Sequence, residues 1–270
     1  LGNASLALPL FIEETAMKPV LLAGETFHVT SFASKGQEVG SSFRYSNGAT
    51  RYIQALTNQD IEVIQIGGER CEAEFPKSLE ALSAYSVVVL SDVGALSLLY
   101  TPETRAGQRS VNRLELIRHW VEQGGALMMA GGYTCFQGMD GSAMFHGTAV
   151  EECLPVKISA GPDGLEAPEG LDPVAVDNEH PVLKGLALPI PFVLGMNRVV
   201  ARTDTQARTL MQCSNRGIAL PLLTVREYGT GRTLAWMTDI GAHWLSGEFM
   251  AWQGYDLLMA NMVRWLAREV

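Results

Sequence analysis

GGALMMAGGYTCFQG, residues 124–138, sets five apolar residues between two glycine pairs. A short unbroken apolar run bounded by glycines suits a strand buried on both faces, as in the middle of a parallel sheet. Glycines directly after such a strand permit the φ > 0 backbone of a sharp strand-to-helix turn. In hydrolases and amidotransferases that elbow carries the nucleophile, and the positions two before and two after the apex must be small. With Cys135 at the apex those positions are Tyr133 and Gln137, both large. With Tyr133 at the apex they are Gly131 and Cys135, both small. The reading therefore puts Tyr133 on the elbow and Cys135 packed just inside the following helix. A phenol with an ordinary pKa of about 10 is a poor acyl-transfer nucleophile at neutral pH.

The surrounding chain alternates strands and helices. PVLLAG (19–24) reads as a first central strand, followed by a polar Gly/Ser-rich loop, GETFHVTSFASKGQEVGSS (24–42). Tyr52, Ile53 and Leu56 recur at helical spacing, and IEVIQI (61–66) and the run Val87–Leu90 are further strands. Ser110 is expected to cap a helix that turns Leu114, Ile117, Trp120 and Val121 inward and stops at Gly124. Such alternation predicts a parallel, doubly wound α/β sheet with helices on both faces. From Cys153 to about Asp239 the pieces LPVKI, PVAV, NRVVA, RTLMQ, PLLTVREY and TLAWMTD read as added antiparallel strands extending that sheet. YGTGR (228–232) signals a hairpin turn. The chain closes on a helix with Tyr255, Leu258, Met259, Met262, Trp265 and Leu266 on one face.

The 270 residues are 47% apolar and 18% charged, as in a globular chain, and carry a net charge of −9 with no basic cluster. That balance argues against nucleic acid and anionic membranes as partners. Four scattered cysteines, Cys71, Cys135, Cys153 and Cys213, read as reduced core residues of a cytoplasmic protein. MKPVLLAG looks like a natural start at Met17. Leu1–Ala16 is read as an N-terminal extension without the basic region of a signal peptide, and 17–270 as one domain.

Ligands of open α/β sheets bind beyond the carboxyl ends of the strands. The residues there are Glu25 and His28 after the first strand, Asp92 and Gly94 after the third, Tyr133 and Thr134 after the fourth, and Asp239, His243 and Trp244 after TLAWMTD. Capping explains many such aspartates singly, but their convergence predicts a site for a small polar ligand. None of them has metal-ligand spacing such as H-E-x-x-H, so no metal is expected. No G-x-G-x-x-G follows a strand, and no cofactor is expected. His146 and His180, the latter before Pro181, read as structural.

PVLLAGETFHVTSFASKG, YSVVVLSDVGA, GGALMMAGGYTCFQG, FHGTAVEECLPV, EHPVLKGL, EYGTGRTLAWMTDIGAHW and WQGYDLLMANMVRWLA together resemble a family of cytoplasmic class I glutamine amidotransferase-like proteins. They are similar also to the wider set that includes the trehalose-utilisation (ThuA-like) proteins. The resemblance runs from about Met17 to Val270 and implies a flavodoxin-like three-layer α/β/α sandwich. Active amidotransferases of this type carry G-x-C-x-G at the elbow and H-x-E near the C-terminus. Here the elbow aligns as Gly131-Gly132-Tyr133-Thr134-Cys135, with tyrosine in the nucleophile's place. His243 stands where the triad histidine is expected, Leu245 where its acid would be, and Glu248 lies five residues on. The loop Asp92-Val93-Gly94 stands where the oxyanion loop would be, and an acidic side chain suits that role badly. Three functions stay open: a ligand-binding domain without glutaminase activity, an enzyme, and a protein-interaction module. The enzyme would be a glutaminase or amidohydrolase using Cys135 and His243, or would work through acid–base chemistry at Asp92 and His243. A homo-oligomer is compatible with each.

Overall fold

The computed structural model describes residues 17–270; the extension expected at Leu1–Ala16 lies outside them. In chain order the first strands are β1 (Val20–Gly24), β2 (Thr26–Lys35), β3 (Glu38–Asn47), β4 (Val63–Ile66), β5 (Val87–Ser91) and β6 (Ala126–Ala130). Then come β7 (Val156–Lys157), β8 (Gly164–Leu171), β9 (Val174–Ala175), β10 (Val193–Asn197) and β11 (Val200–Ala201). The last are β12 (Arg208–Asn215), β13 (Ile218–Tyr228) and β14 (Gly231–Trp236). An eight-stranded sheet has the order β4-β1-β5-β6-β14-β13-β12-β9. Its first five strands run parallel, and β13, β12 and β9 add to them antiparallel. The α/β flavodoxin-like architecture and its antiparallel extension are both present.

The apolar runs occupy the centre because they can be buried on both faces. Every residue of β1, β5 and β6 is buried, and Val88–Leu90 pair in register with Leu127–Met129. The helix Arg113–Glu122 packs on β6 and β14, burying Leu114, Ile117, Trp120 and Val121. The C-terminal helix Tyr255–Leu266 also packs on β6 and β14, together with the helix Thr50–Thr57. Asn112, not Ser110, caps Arg113–Glu122: its side-chain oxygen accepts from the N–H groups of Leu114 (3.0 Å) and Glu115 (3.2 Å). Ser110 stands two residues too early to reach those donors.

Two further departures from expectation bear on function. The loop expected after β1 is instead a hairpin of two ten-residue strands, β2 and β3, paired from Thr26↔Asn47 to Lys35↔Glu38. Its alternation of Phe, Val and Tyr with Ser and Thr is a strand pattern masked by polar composition. The C-terminal half also holds more than an extension of the main sheet. β8 pairs with β10, and β7 with β11, as separate two-stranded sheets.

β6 is the centre of this packing, with Leu127 fully buried between layers. Leu127→Ala is expected to cost about 2–5 kcal/mol of stability, read by urea denaturation. Tyr133→Phe, which removes one half-exposed hydroxyl, is expected to cost about 1 kcal/mol.

Candidate functional site

The sheet order puts β1 between β4 and β5, so the chain reverses its direction of progress across the sheet beside β1. That switch point opens a crevice at the carboxyl edge. A cavity of about 520 Å³ lies there. The start of β2 lines it with Thr26, Phe27 and His28, and the segment after β4 with Gly68 and Glu69. Asp92, Gly94 and Leu96 enter after β5, and Tyr133 and Thr134 after β6.

β6 ends on two glycines for two different reasons. A Cβ on Gly131 would stand 2.5 Å from the Met237 carbonyl oxygen and 2.7 Å from Asn197 Oδ1. Its N–H donates to the carbonyls of Trp236 (2.7 Å) and Thr238 (2.9 Å). Gly132 has φ +146° and passes between carboxylates; a Cβ there would meet Asp92 Oδ1 at 2.3 Å and Asp239 Oδ1 at 3.3 Å.

No helix follows. Residues 131–138 form turns, and Cys135 sits in a turn instead of inside a helix. The reason lies in where the backbone donors go. Asp92 Oδ1 takes the N–H of Thr134 (2.9 Å), and buried Asp163 takes those of Gln137 (2.9 Å) and Gly138 (2.8 Å). Asn197 accepts from the Gly132 N–H (3.0 Å) and donates to Asp163 (2.8 Å), tying the loop to β10. Phe136 and Gly138 both adopt positive φ, which helical continuation forbids. Cys135 is fully buried, its Sγ 3.9 Å from the Leu90 carbonyl. Burial, reinforced by the charge of Asp92, pushes its thiol well above the ordinary range.

Tyr133 points outward, 39% exposed. Its hydroxyl lies 2.7 Å from Glu166 Oε1 and 3.1 Å from His243 Nε2. His243 Nδ1 is 3.2 Å from Asp239 Oδ2, which also accepts the Trp244 N–H at 2.9 Å. Trp244 Nε1 donates to Glu166 Oε1 at 2.9 Å, closing a ring of contacts. One proton between Asp239 and Nδ1 and a second on Nε2 give every contact a donor and an acceptor, with Tyr133 donating to Glu166. The hydrogen bond to Asp239 raises the His243 pKa. Burial, then the Glu166 carboxylate, pushes Tyr133 up to about 12.

Beneath Gly132 the carboxyl groups crowd together. Glu25 is buried and accepts from the Ser91 hydroxyl at 2.6 Å. Burial, then the charge of Asp92, raises its pKa to about 8. Burial raises Asp92 to about 6 and moves Asp239 upward as well. Removed from water, neighbouring carboxylates cannot all ionise cheaply. Glu25 (φ 58°), Asp92 (φ 44°) and His243 (φ 131°) all hold left-handed backbone, strain of a kind that gathers at functional sites.

The expected residues thus fall into two shells. His28, Asp92, Gly94, Tyr133 and Thr134 line the cavity. Glu25, Asp239, His243 and Trp244 stand behind or beside it. Trp244 is fully buried, so it offers no face to the cavity and instead contacts Glu166 and the Tyr133 ring. Leu245 is buried and Glu248 lies exposed in the helix Gly247–Ala251; the acid on His243 is Asp239, four residues before it. Glu166, Asp163 and Asn197 had no signal in the sequence. Glu166 sits in GLEAPEGL, where glycines and Pro168 hide the strand. His146 Nδ1 lies 2.8 Å from the Ile158 carbonyl, and His180 caps the turn Pro181–Leu183. No group of three His, Cys, Asp or Glu side chains among the described residues is arranged to hold a metal ion.

Because the folded pKa of Glu25 lies above its ordinary 4.5, the folded state binds this proton more tightly than the unfolded chain. Its stabilising contribution is full below about pH 4.5 and is lost as pH rises through about 8. Urea denaturation across that window is expected to give a shallower decline for Glu25→Gln than for wild type, by a few kcal/mol. Parallel curves would remove the buried-proton account.

Two solved structures match closely. Cytoplasmic protein STM3548 from Salmonella typhimurium is 35% identical, with a TM-score of 0.86, covering 92% of this chain and 98% of its own. Cytoplasmic protein STM1381 from Salmonella typhimurium LT2 is 28% identical, with a TM-score of 0.85, covering 92% of this chain and 99% of its own. A β-galactosidase from Bacillus circulans sp. alkalophilus, 14% identical at a TM-score of 0.50, covers 93% of this chain and 31% of its own, a likeness of fold alone. No curated protein matches the chain. The family model described as "Putative glutamine amidotransferase" matches residues 19–268. From the switch-point crevice to the last helix, the chain belongs to this glutamine amidotransferase-like family.

Proposed function

We propose that this protein keeps the amidotransferase-like scaffold, lacks glutaminase activity, and binds a small polar, carbohydrate-like molecule at the carboxyl edge of its sheet. It does so in the cytoplasm, in keeping with the names of its two Salmonella relatives. The observation that carries the reading is the exchange at the loop after β6. Tyr133 faces the cavity with its hydroxyl held by Glu166 and His243, while Cys135 is fully buried beneath it. With a pKa of about 12, only about one Tyr133 in 100,000 is ionised at pH 7. An acyl-transfer nucleophile cannot be drawn from that population at a useful rate.

The cavity has the chemistry of a sugar or amino-acid site. Tyr133 and Phe27 present ring surface, and Asp92, Thr134 and Glu69 present acceptors and donors for hydroxyl groups. A few placed polar groups on a partly apolar wall set orientation in such pockets. His243 and Asp239 hold the Tyr133 hydroxyl, which makes them positioning residues. A second reading, acid–base catalysis through His243, draws on the same Asp239–His243–Tyr133 chain. It requires turnover of some bound compound that disappears in His243→Ala.

Glutamine is expected to yield no ammonia above background with purified protein. Turnover that is lost in Cys135→Ala yet survives Tyr133→Phe would sink the reading and restore cysteine chemistry. Titration calorimetry against monosaccharides and amino acids is expected to find a ligand whose affinity falls about tenfold or more in Asp92→Asn, one lost charged hydrogen bond. Equal affinities for both proteins would take Asp92 out of the site.

A further inference from the structure

The hairpin β2–β3 is an arm whose strands pack chiefly on each other, touching the body near its root at Gly68–Arg70. Three of the four most exposed large apolar side chains among the described residues lie on it: Phe43 at 78%, Phe32 at 75% and Val39 at 71%. The register puts all three on one face. Directly opposed residues share a face, and residues two apart along a strand do too. The pairs His28↔Tyr45, Thr30↔Phe43, Phe32↔Ser41 and Ser34↔Val39 therefore form one surface. The other face carries Val29↔Arg44, Ser31↔Ser42, Ala33↔Gly40 and Lys35↔Glu38, small or charged in the main. A two-stranded ribbon with an uncovered apolar face is marginal in water. Something must cover it.

We propose that a second copy of this chain covers it, in a two-fold dimer where each arm lies across its partner's cavity mouth and closes the site. Area separates this from simpler pairings. Ten residues at about 3.3 Å make an arm about 33 Å long, and two strands give a face of about 330 Å². Two arm faces pressed together hide about 660 Å², short of the roughly 1,200 Å² at the low end of stable interfaces. Two arms each laid on a partner's body hide about twice that, which reaches the range.

The receiving surface lies on the same side of the molecule. Leu96 and Met144 are exposed large apolar residues at 54% and 48%. Leu96 lines the cavity that the arm's root, Thr26–His28, also lines. Met144 follows Ala143, whose carbonyl accepts the Ala95 N–H at 2.8 Å. A two-fold contact needs this geometry, because the same molecule must present both arm and receiver to its partner. The proposal stands apart from the ligand reading, because it depends on the arm and rim whatever the cavity binds.

Sedimentation velocity of the full chain at micromolar concentration is expected to give a dimer. Phe32→Ser with Phe43→Ser should give a monomer with an unchanged circular dichroism spectrum. In a second measurement, Phe43→Cys protein is mixed with Leu96→Cys protein and treated with a bismaleimide. A cross-linked heterodimer is expected, since the four native cysteines are buried and do not compete. A monomeric wild type, as an arm built for another protein would give, overturns the proposal. So does a dimer that survives the double serine substitution. A dimer that yields no 43–96 cross-link overturns the placement of the arm on the cavity.

Discussion

Gly131 is wedged against β14 and β10 so closely that no side chain fits between them. Its N–H is spent on the carbonyls of Trp236 and Thr238, and the next residue must pass between Asp92 and Asp239. The loop that follows is therefore held from three directions, by β5 through Asp92, by β8's approach through Asp163, and by β10 through Asn197. With those donors captured, the chain cannot start a helix at Tyr133. It turns instead, burying Cys135 and presenting the tyrosine.

The loop separates its two reactive side chains, with Cys135 sealed inside and Tyr133 lining the cavity. An amidotransferase elbow spends backbone strain to raise a thiol toward solvent beside a histidine. Here left-handed backbone falls on Glu25, Asp92 and His243, the groups around Tyr133. Tyr133 itself does not have positive φ. The histidine keeps an acid, but from four residues upstream, so Asp239 orients His243 toward a phenol with its pKa pushed up. Glu166, His243 and Trp244 together hold the Tyr133 ring and hydroxyl in place.

The buried carboxylates give the site its tension. Glu25, Asp92 and Asp239 all lose hydration in one region, and burial shifts each toward holding its proton to a higher pH than in water. Such groups are poor contributors to stability near neutral pH. The arm adds a second feature that costs the isolated chain, an aromatic face left in water.

What the amino-acid sequence determined by itself was the part governed by local pattern. Unbroken apolar runs at 20–23, 87–90 and 126–130, set among helical patterns, read as central parallel strands, and the residues at their carboxyl ends as converging on one edge. Tertiary structure decided the rest, because it turned on donors and acceptors far apart in sequence. Asp163 and Asn197 are buried polar residues whose partners lie 25 to 65 positions away, and nothing in their own neighbourhoods marks them. Glu166 reaches Tyr133 across 33 positions from a strand broken by glycine and proline. The arm's residues alternate correctly for strands, but only the register across the tight turn at Gly36–Gln37 reveals that Phe32, Phe43 and Val39 share a face. Strand and helix follow from period, whereas the groups facing a cavity follow from which distant backbone N–H groups a carboxylate captures.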